Sequence, residues 1–128
     1  MIESMLTEEL RALQQLVREF AHDVIAPVIA EHYIAETFPY EIVQQLGDMG
    51  LFGLPFPEEY GGGGGDYFAL CLALEELARV DSSVAITVEA AVSLGAMPIY
   101  KYGTEEQKRQ WMPQLCTGRV LGAFGLTE

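Results

Sequence analysis

The sequence predicts an all-α fold: a bundle of about five to six helices with a short extended segment at its C-terminal end. Three observations carry that expectation. Residues 67–80 are apolar at eleven of fourteen positions and residues 84–102 at thirteen of nineteen, with Glu89 and Lys101 the only charges in the second run. Helices so apolar must be covered on several sides. Between them stands Asp81-Ser82-Ser83, whose side chains cap a helix better than they extend one. The flanking segments carry single apolar stripes at helical spacing, so they are expected to form the cover.

Thr7 can cap the first helix, with Glu8 and Glu9 placed well against its positive end. Leu6, Leu10, Leu13, Val17, Phe20 and Val24 then form one stripe, and Pro27 must stop or kink the helix. Residues 28–36 can continue as a second helical piece. His22 and His32 have no ligand-like neighbours and are read as partly exposed structural residues, so no metal site is expected. Pro39 suits the first position of the next helix, whose buried face is Ile42, Val43, Leu46 and Met49, and Gly50 ends it.

Residues 51–57, broken by Gly53, Pro55 and Pro57, are expected to be irregular but packed, because they are rich in Leu and Phe. The run Gly61–Gly65 invites a phosphate-loop reading that its context opposes. No strand precedes it, no Gly-Lys-Ser/Thr follows, and Asp66 stands where a dinucleotide loop needs its last glycine. A flexible turn ending in an Asp66 helix cap is the expectation. Glu75 and Glu76 are adjacent, so they point to different sides of a helix and are read as surface residues.

Gly103 ends the second apolar helix and Thr104-Glu105-Glu106-Gln107 opens the next with a capping box. Pro113 should kink or split that helix and Gly118 should stop it, with Trp111, Met112 and Leu115 as its core residues. Val120–Thr127 changes character: glycines at 122 and 125 among Val120, Leu121, Phe124 and Leu126 read as an extended strand. A lone strand needs a partner, so the chain is expected to end just inside a second domain: 1–118 helical, 119–128 the start of a β-sheet domain.

Net charge is −12 and uneven. Residues 1–66 carry twelve acids against Arg11 and Arg18, and residues 67–128 seven acids against five bases. This opposes nucleic acid as a partner and docking on anionic lipid. Cys71 and Cys116 lie in helical apolar patterns without CxxC or a histidine cluster, so both are expected to be buried thiols in a reducing compartment. No secretory signal pattern is visible. Residues 90–100 lack charge but are too short for a membrane span.

Four pieces line up in order and spacing with one family: Pro57-Glu58-Glu59-Tyr60-Gly61-Gly62, Glu75-Glu76-Leu77-Ala78-Arg79 with Asp81-Ser82, Gly103-Thr104-Glu105-Glu106-Gln107-Lys108, and Gly122-Ala123-Phe124-Gly125-Leu126-Thr127-Glu128. Together they resemble the acyl-CoA dehydrogenases over nearly the whole chain. The resemblance implies the N-terminal helical domain of a three-domain flavoenzyme that dehydrogenates the α and β carbons of an acyl-CoA, passing a hydride to FAD. It implies FAD as cofactor and a homo-oligomeric full-length protein, and it suggests electron-transferring flavoprotein while leaving the acceptor open; with the cysteines, the expected location is the cytoplasm or another reducing interior such as the mitochondrial matrix.

Phe124 to Glu128 resembles the start of the FAD-binding stretch. Backbone groups of Phe124, Gly125 and Leu126 would line the flavin wall, and the Thr127 hydroxyl resembles the one that hydrogen-bonds the ring. The turn bearing Glu89, Ala90, Ser93 and Leu94 resembles the wall of the acyl pocket. A glutamate in an apolar helix suggests a general base, but the resemblance places the base in a C-terminal domain, so no catalytic residue is assigned. Glu128 holds a motif position only. Lys101, Lys108, Arg109 and Arg119 are available to meet cofactor phosphates or to form a solvated face. A free-standing helical binding or oligomerisation module and a same-fold flavin oxidase or monooxygenase are the alternatives; acyl-chain length stays open.

Overall fold

The computed structural model describes residues 2–127, with side chains from Ser4 onward. Six α-helices account for most of it. They are α1 (Glu8–Phe20), α2 (Ile29–Ala35), α3 (Tyr40–Asp48), α4 (Tyr67–Ala78), α5 (Ser82–Tyr102) and α6 (Glu105–Cys116). Helix α4 packs between α1 and α5, while α6 closes on the second half of α5 and on short 3-10 turns at Leu51–Gly53 and Glu58–Tyr60. The all-helical expectation holds, and among the described residues there is no strand.

The helix starts follow the predicted chemistry. Thr7, Asp66, Asp81 and Thr104 each accept a hydrogen bond from the backbone N–H three residues on. At Thr104 the Gln107 side chain returns one, completing the capping box. Pro39 falls one place earlier than expected, just ahead of Tyr40. Gly50 ends α3 with φ +80°.

Helices α1 and α5 both widen into π turns, at Ala21–Ile25 and Ala90–Ala96, and each widening stops two residues short of a proline, Pro27 or Pro98. There the Ala26 and Met97 amides reach five residues back, to Ala21 and Val92. A proline ring collides with the carbonyl four residues before it and offers no donor, so a widened turn re-phases the carbonyls ahead of it. Pro113 behaves otherwise: α6 runs straight through it on an exposed face, so the expected split does not occur.

Helix α2 ends on Glu36 in the left-handed region, φ 53°, with the Thr37 amide donating to His32 O at 3.0 Å and the Glu36 amide to Tyr33 O at 3.3 Å. That reciprocal pattern favours glycine at Glu36's place, because a side chain there is strained. Glu36→Gly is therefore expected to raise stability by about 0.5–1 kcal/mol after allowing for the freer unfolded chain. A urea unfolding curve checks it; a loss of stability would refute the strain argument.

Several burial expectations need correction. Glu76 is not a surface residue: it is 1% exposed, because it falls on the buried stripe of α4 with Ala69, Ala73 and Leu77. Arg18 of α1 donates to both its oxygens, Nε at 3.0 Å and Nη2 at 2.8 Å. Foremost through those bonds, Arg18 holds the Glu76 carboxyl below the usual carboxylate range, helped by the charge of Arg79. Glu75 is exposed as expected and pairs with Arg79 at 3.0 Å. Trp111 is 41% exposed, since Met112, Leu115 and Cys116 set the buried stripe of α6 and Trp111 lies one residue off it.

Cys71 is also exposed, on the outer stripe of α4 with Glu75 and Ala78, whereas Cys116 is buried. Burial pushes the Cys116 thiol up to about 11. A thiol reagent at pH 8 should label one cysteine in the native protein and two after denaturation. Two fast labels in the native state would contradict this burial.

The glycine run is not a flexible turn. Gly63, Gly64 and Gly65 donate to Gly53, Phe56 and Leu54 carbonyls at 2.8–2.9 Å, pinning the run along residues 53–57. Those residues bury Leu51, Phe52, Gly53 and Phe56, so they pack as expected, although they begin with a 3-10 turn. Helices α4 and α5 are less fully wrapped than their composition implied. Val84, Val88, Ala91 and Val92 are buried, but Tyr67, Ile86 and Leu94 remain exposed. By length and apolar content α5 would suffice to cross a membrane, more than its charge-free middle suggested; here 44% of its most apolar window is buried in the bundle.

Candidate functional site: the α5 turn and the C-terminal tail

Beyond α6 the chain turns at Gly118 (φ +69°), and the Val120 amide donates to Gln114 O at 3.3 Å. Residues 121–127 then form neither helix nor strand, so the predicted strand is absent: its backbone meets no ladder partner among the described residues. Instead the tail crosses α5. Gly122 lies so close to Gly95 that a Cβ on Gly95 would sit 2.5 Å from Gly122 Cα.

This crossing brings together the two residue sets that the sequence singled out. On α5, one turn before Gly95, Glu89, Ala90 and Ser93 are half-buried and Leu94 is exposed, while Ala91 and Val92 face the core. Glu89 has no hydrogen bond or ion pair among the described residues. Two residues past Gly122, Phe124, Gly125, Leu126 and Thr127 are all exposed, and a Cβ on Gly125 would meet nothing within 4 Å. Glu128 lies outside the described residues.

The donor set fits one part of FAD. Backbone amides of Phe124, Gly125 and Leu126 with no acceptor among the described residues, an exposed threonine hydroxyl and a glycine with open space suit a planar ring edge with carbonyl and nitrogen acceptors. Lys108 and Arg109 are both engaged by Glu105, at 3.6 and 3.9 Å. Among the described residues no group of His, Cys, Asp and Glu could hold a metal ion.

Three surface clefts are lined by other residues. One lies between the α2–α3 connection and the start of α5, with Ile29, Tyr33, Phe38 and Val84. Another joins Tyr40, Gln44 and Asp48 to Arg119 and Leu121. The third holds Trp111 against Pro98, Ile99 and Tyr102. Leu94, Phe124 and Leu126 are exposed, so the turn and the tail present an open surface there. Sequence reasoning missed Gly95 and Gly122 as a pair; an isolated glycine inside an apolar helical run was the available signal, because such a glycine commonly marks a close approach.

A helical domain whose C-terminal tail crosses its longest helix is the class of module that the fold defines. Residues 7–119 match the acyl-CoA dehydrogenase, N-terminal domain family, and the chain belongs to that family. It is 47% identical over 125 residues to a probable acyl-CoA dehydrogenase of Bacillus subtilis, covering 96% of this chain and 32% of that protein. Butyryl-CoA dehydrogenase from Megasphaera elsdenii superposes with a TM-score of 0.90 at 41% identity, over 96% of this chain and 33% of that one. An acyl-CoA dehydrogenase complexed with FAD from Bacillus anthracis gives 0.89 at 34%, over 96% and 21%. The chain therefore spans about a third or less of the length of these proteins.

Proposed function

We propose that this chain is the N-terminal helical domain of an FAD-dependent acyl-CoA dehydrogenase, with residues 1–118 as the helical unit and 119–128 leading into a β-sheet domain. The observation that supports the reading is the crossing of the tail over α5, Gly122 against Gly95, in a chain of this family, with the exposed residues Leu94 and Phe124 to Thr127 on either side of it. Bound FAD would accept the hydride lost from the acyl β-carbon.

In this proposal Ala90, Ser93 and Leu94 wall one side of the acyl chain and exclude water from it, with Glu89 at the border. The amides of Phe124, Gly125 and Leu126 and the hydroxyl of Thr127 donate hydrogen bonds to the flavin edge. The base that takes the α-proton comes from residues outside this chain, as does the surface that meets the cofactor's phosphates. The acceptor is electron-transferring flavoprotein, the full-length enzyme is a homo-oligomer, and it works in a reducing interior such as the cytoplasm or the mitochondrial matrix.

The test uses the full-length enzyme carrying this domain. It should purify yellow, and its flavin band should bleach on anaerobic addition of a short-chain acyl-CoA such as butyryl-CoA. A colourless protein that takes up no FAD would overturn the reading. Reduced flavin consumed rapidly by oxygen would replace it with an oxidase.

A further inference from the structure

We infer that Gly95 and Gly122 are positioning residues whose backbone crossing sets the separation between the acyl-pocket turn and the flavin-wall segment; the inference rests on the functional reading above. A Cβ on Gly95 would lie 2.5 Å from Gly122 Cα and 2.6 Å from its carbonyl carbon. A Cβ on Gly122 would lie 2.7 Å from Gly95 Cα and 3.2 Å from Ala91 O. Every obstacle is backbone, so no side chain can swing aside to make room.

Neither glycine is there for its conformation. Both lie outside the left-handed region, and Gly95 sits inside a helix, where alanine is the better former. Space is what excludes a side chain. The geometry also gives the crossing leverage. Past α6 the tail is held by the Val120 amide on Gln114 O and then by Gly122 on Gly95. Ser93 and Leu94 immediately precede Gly95, and Phe124 follows Gly122 by two residues. One contact therefore fixes both walls relative to each other.

An ordinary carbon–carbon contact is about 3.5–4.0 Å. A methyl group placed 2.5 Å from Gly122 Cα must therefore push the tail from α5 by roughly 1 Å. Hydride transfer needs the reacting atoms about 3–3.5 Å apart, and a shift of about 1 Å costs on the order of 10²-fold in rate.

The experiment is anaerobic stopped-flow reduction of the flavin by butyryl-CoA in full-length Gly95→Ala, Gly122→Ala and the double variant. Thermal unfolding and the flavin absorption spectrum are recorded alongside. Each single variant should purify yellow with a shifted flavin band and reduce on the order of 10²-fold more slowly, with an unfolding temperature close to the parent's. The double variant should be at least as slow as the slower single but not slowed by the product of the two effects, because both methyl groups obstruct the same contact. If Gly95→Ala does not fold, Gly122→Ala in the irregular tail decides alone. Yellow variants that reduce within threefold of the parent would overturn the inference and leave the functional reading standing. Slowing that merely tracks lost folded protein would overturn it as well. A colourless parent enzyme would remove the functional reading and this inference with it.

Discussion

Replacing Arg18 by alanine is expected to lower the unfolding free energy by about 2–3 kcal/mol at pH 7. Its two hydrogen bonds to Glu76 join α1 to α4, and the Glu76 side chain is 1% exposed against 40% for Arg18. Removing the guanidinium leaves a carboxylate in the interior with Arg79, at 3.9 Å, and the Gln14 side chain still near. The value sits at the low end for a broken buried pair because Arg18 is partly screened by water.

The sign with pH follows from the depressed Glu76 pKa. The pair contributes in full above the unfolded carboxyl value of about 4.3 and loses its contribution as pH falls through the native value. The wild type should therefore lose stability on acidification, and Arg18→Ala should show a flatter acid limb. Urea unfolding at pH 7 and in an acid series down to about pH 2 measures both; equal stabilities at pH 7 would refute the pair's role. Arg18→Met combined with Glu76→Leu should recover most of the loss, because an apolar pair has no charge to desolvate.

Gly62→Ala is expected to cost about 3 kcal/mol. A Cβ there would lie 2.1 Å from Phe56 O and 2.5 Å from Phe56 C, so backbone must move. Phe56 O also accepts the Gly64 amide at 2.8 Å, and its ring is fully buried against Tyr100 at a centroid distance of 5.5 Å. Opening the ladder would therefore disturb the core. The neighbouring Gly63→Ala is the control: its Cβ meets nothing nearer than 3.7 Å, and a change within about 0.5 kcal/mol is expected. Chemical denaturation of both variants tests the contrast. Equal effects would mean that the run as a whole, rather than the one contact at Gly62, is what matters.

The same run shows where reading a sequence reaches its end. Five consecutive glycines look mobile in one dimension, since nothing local restrains them. Only the fold shows that three of their amides are spoken for by residues 53–56, a short way back along the chain, a pairing with no signature in the run itself. Trp111 and Cys71 teach the complementary lesson. Their types favour burial, but the phase of the helix decided: a step of one residue turned each off the stripe that meets a neighbour. Glu76 is the mirror case, a charge on the buried stripe, stabilised by an arginine far away in the chain.

What the sequence determined by itself was local in origin. The caps at Thr7, Asp66, Asp81 and Thr104, the amphipathic stripes and the helical class all arise from interactions within a few residues. The ordered motifs carried the family by likeness. The tertiary structure alone decided which partners meet: Arg18 with Glu76 and Gly122 with Gly95 between elements, and the glycine run with residues 53–57 within one loop. Those contacts depend on how helices pack in three dimensions, and no periodicity along a single chain encodes which distant residue fills the space opposite.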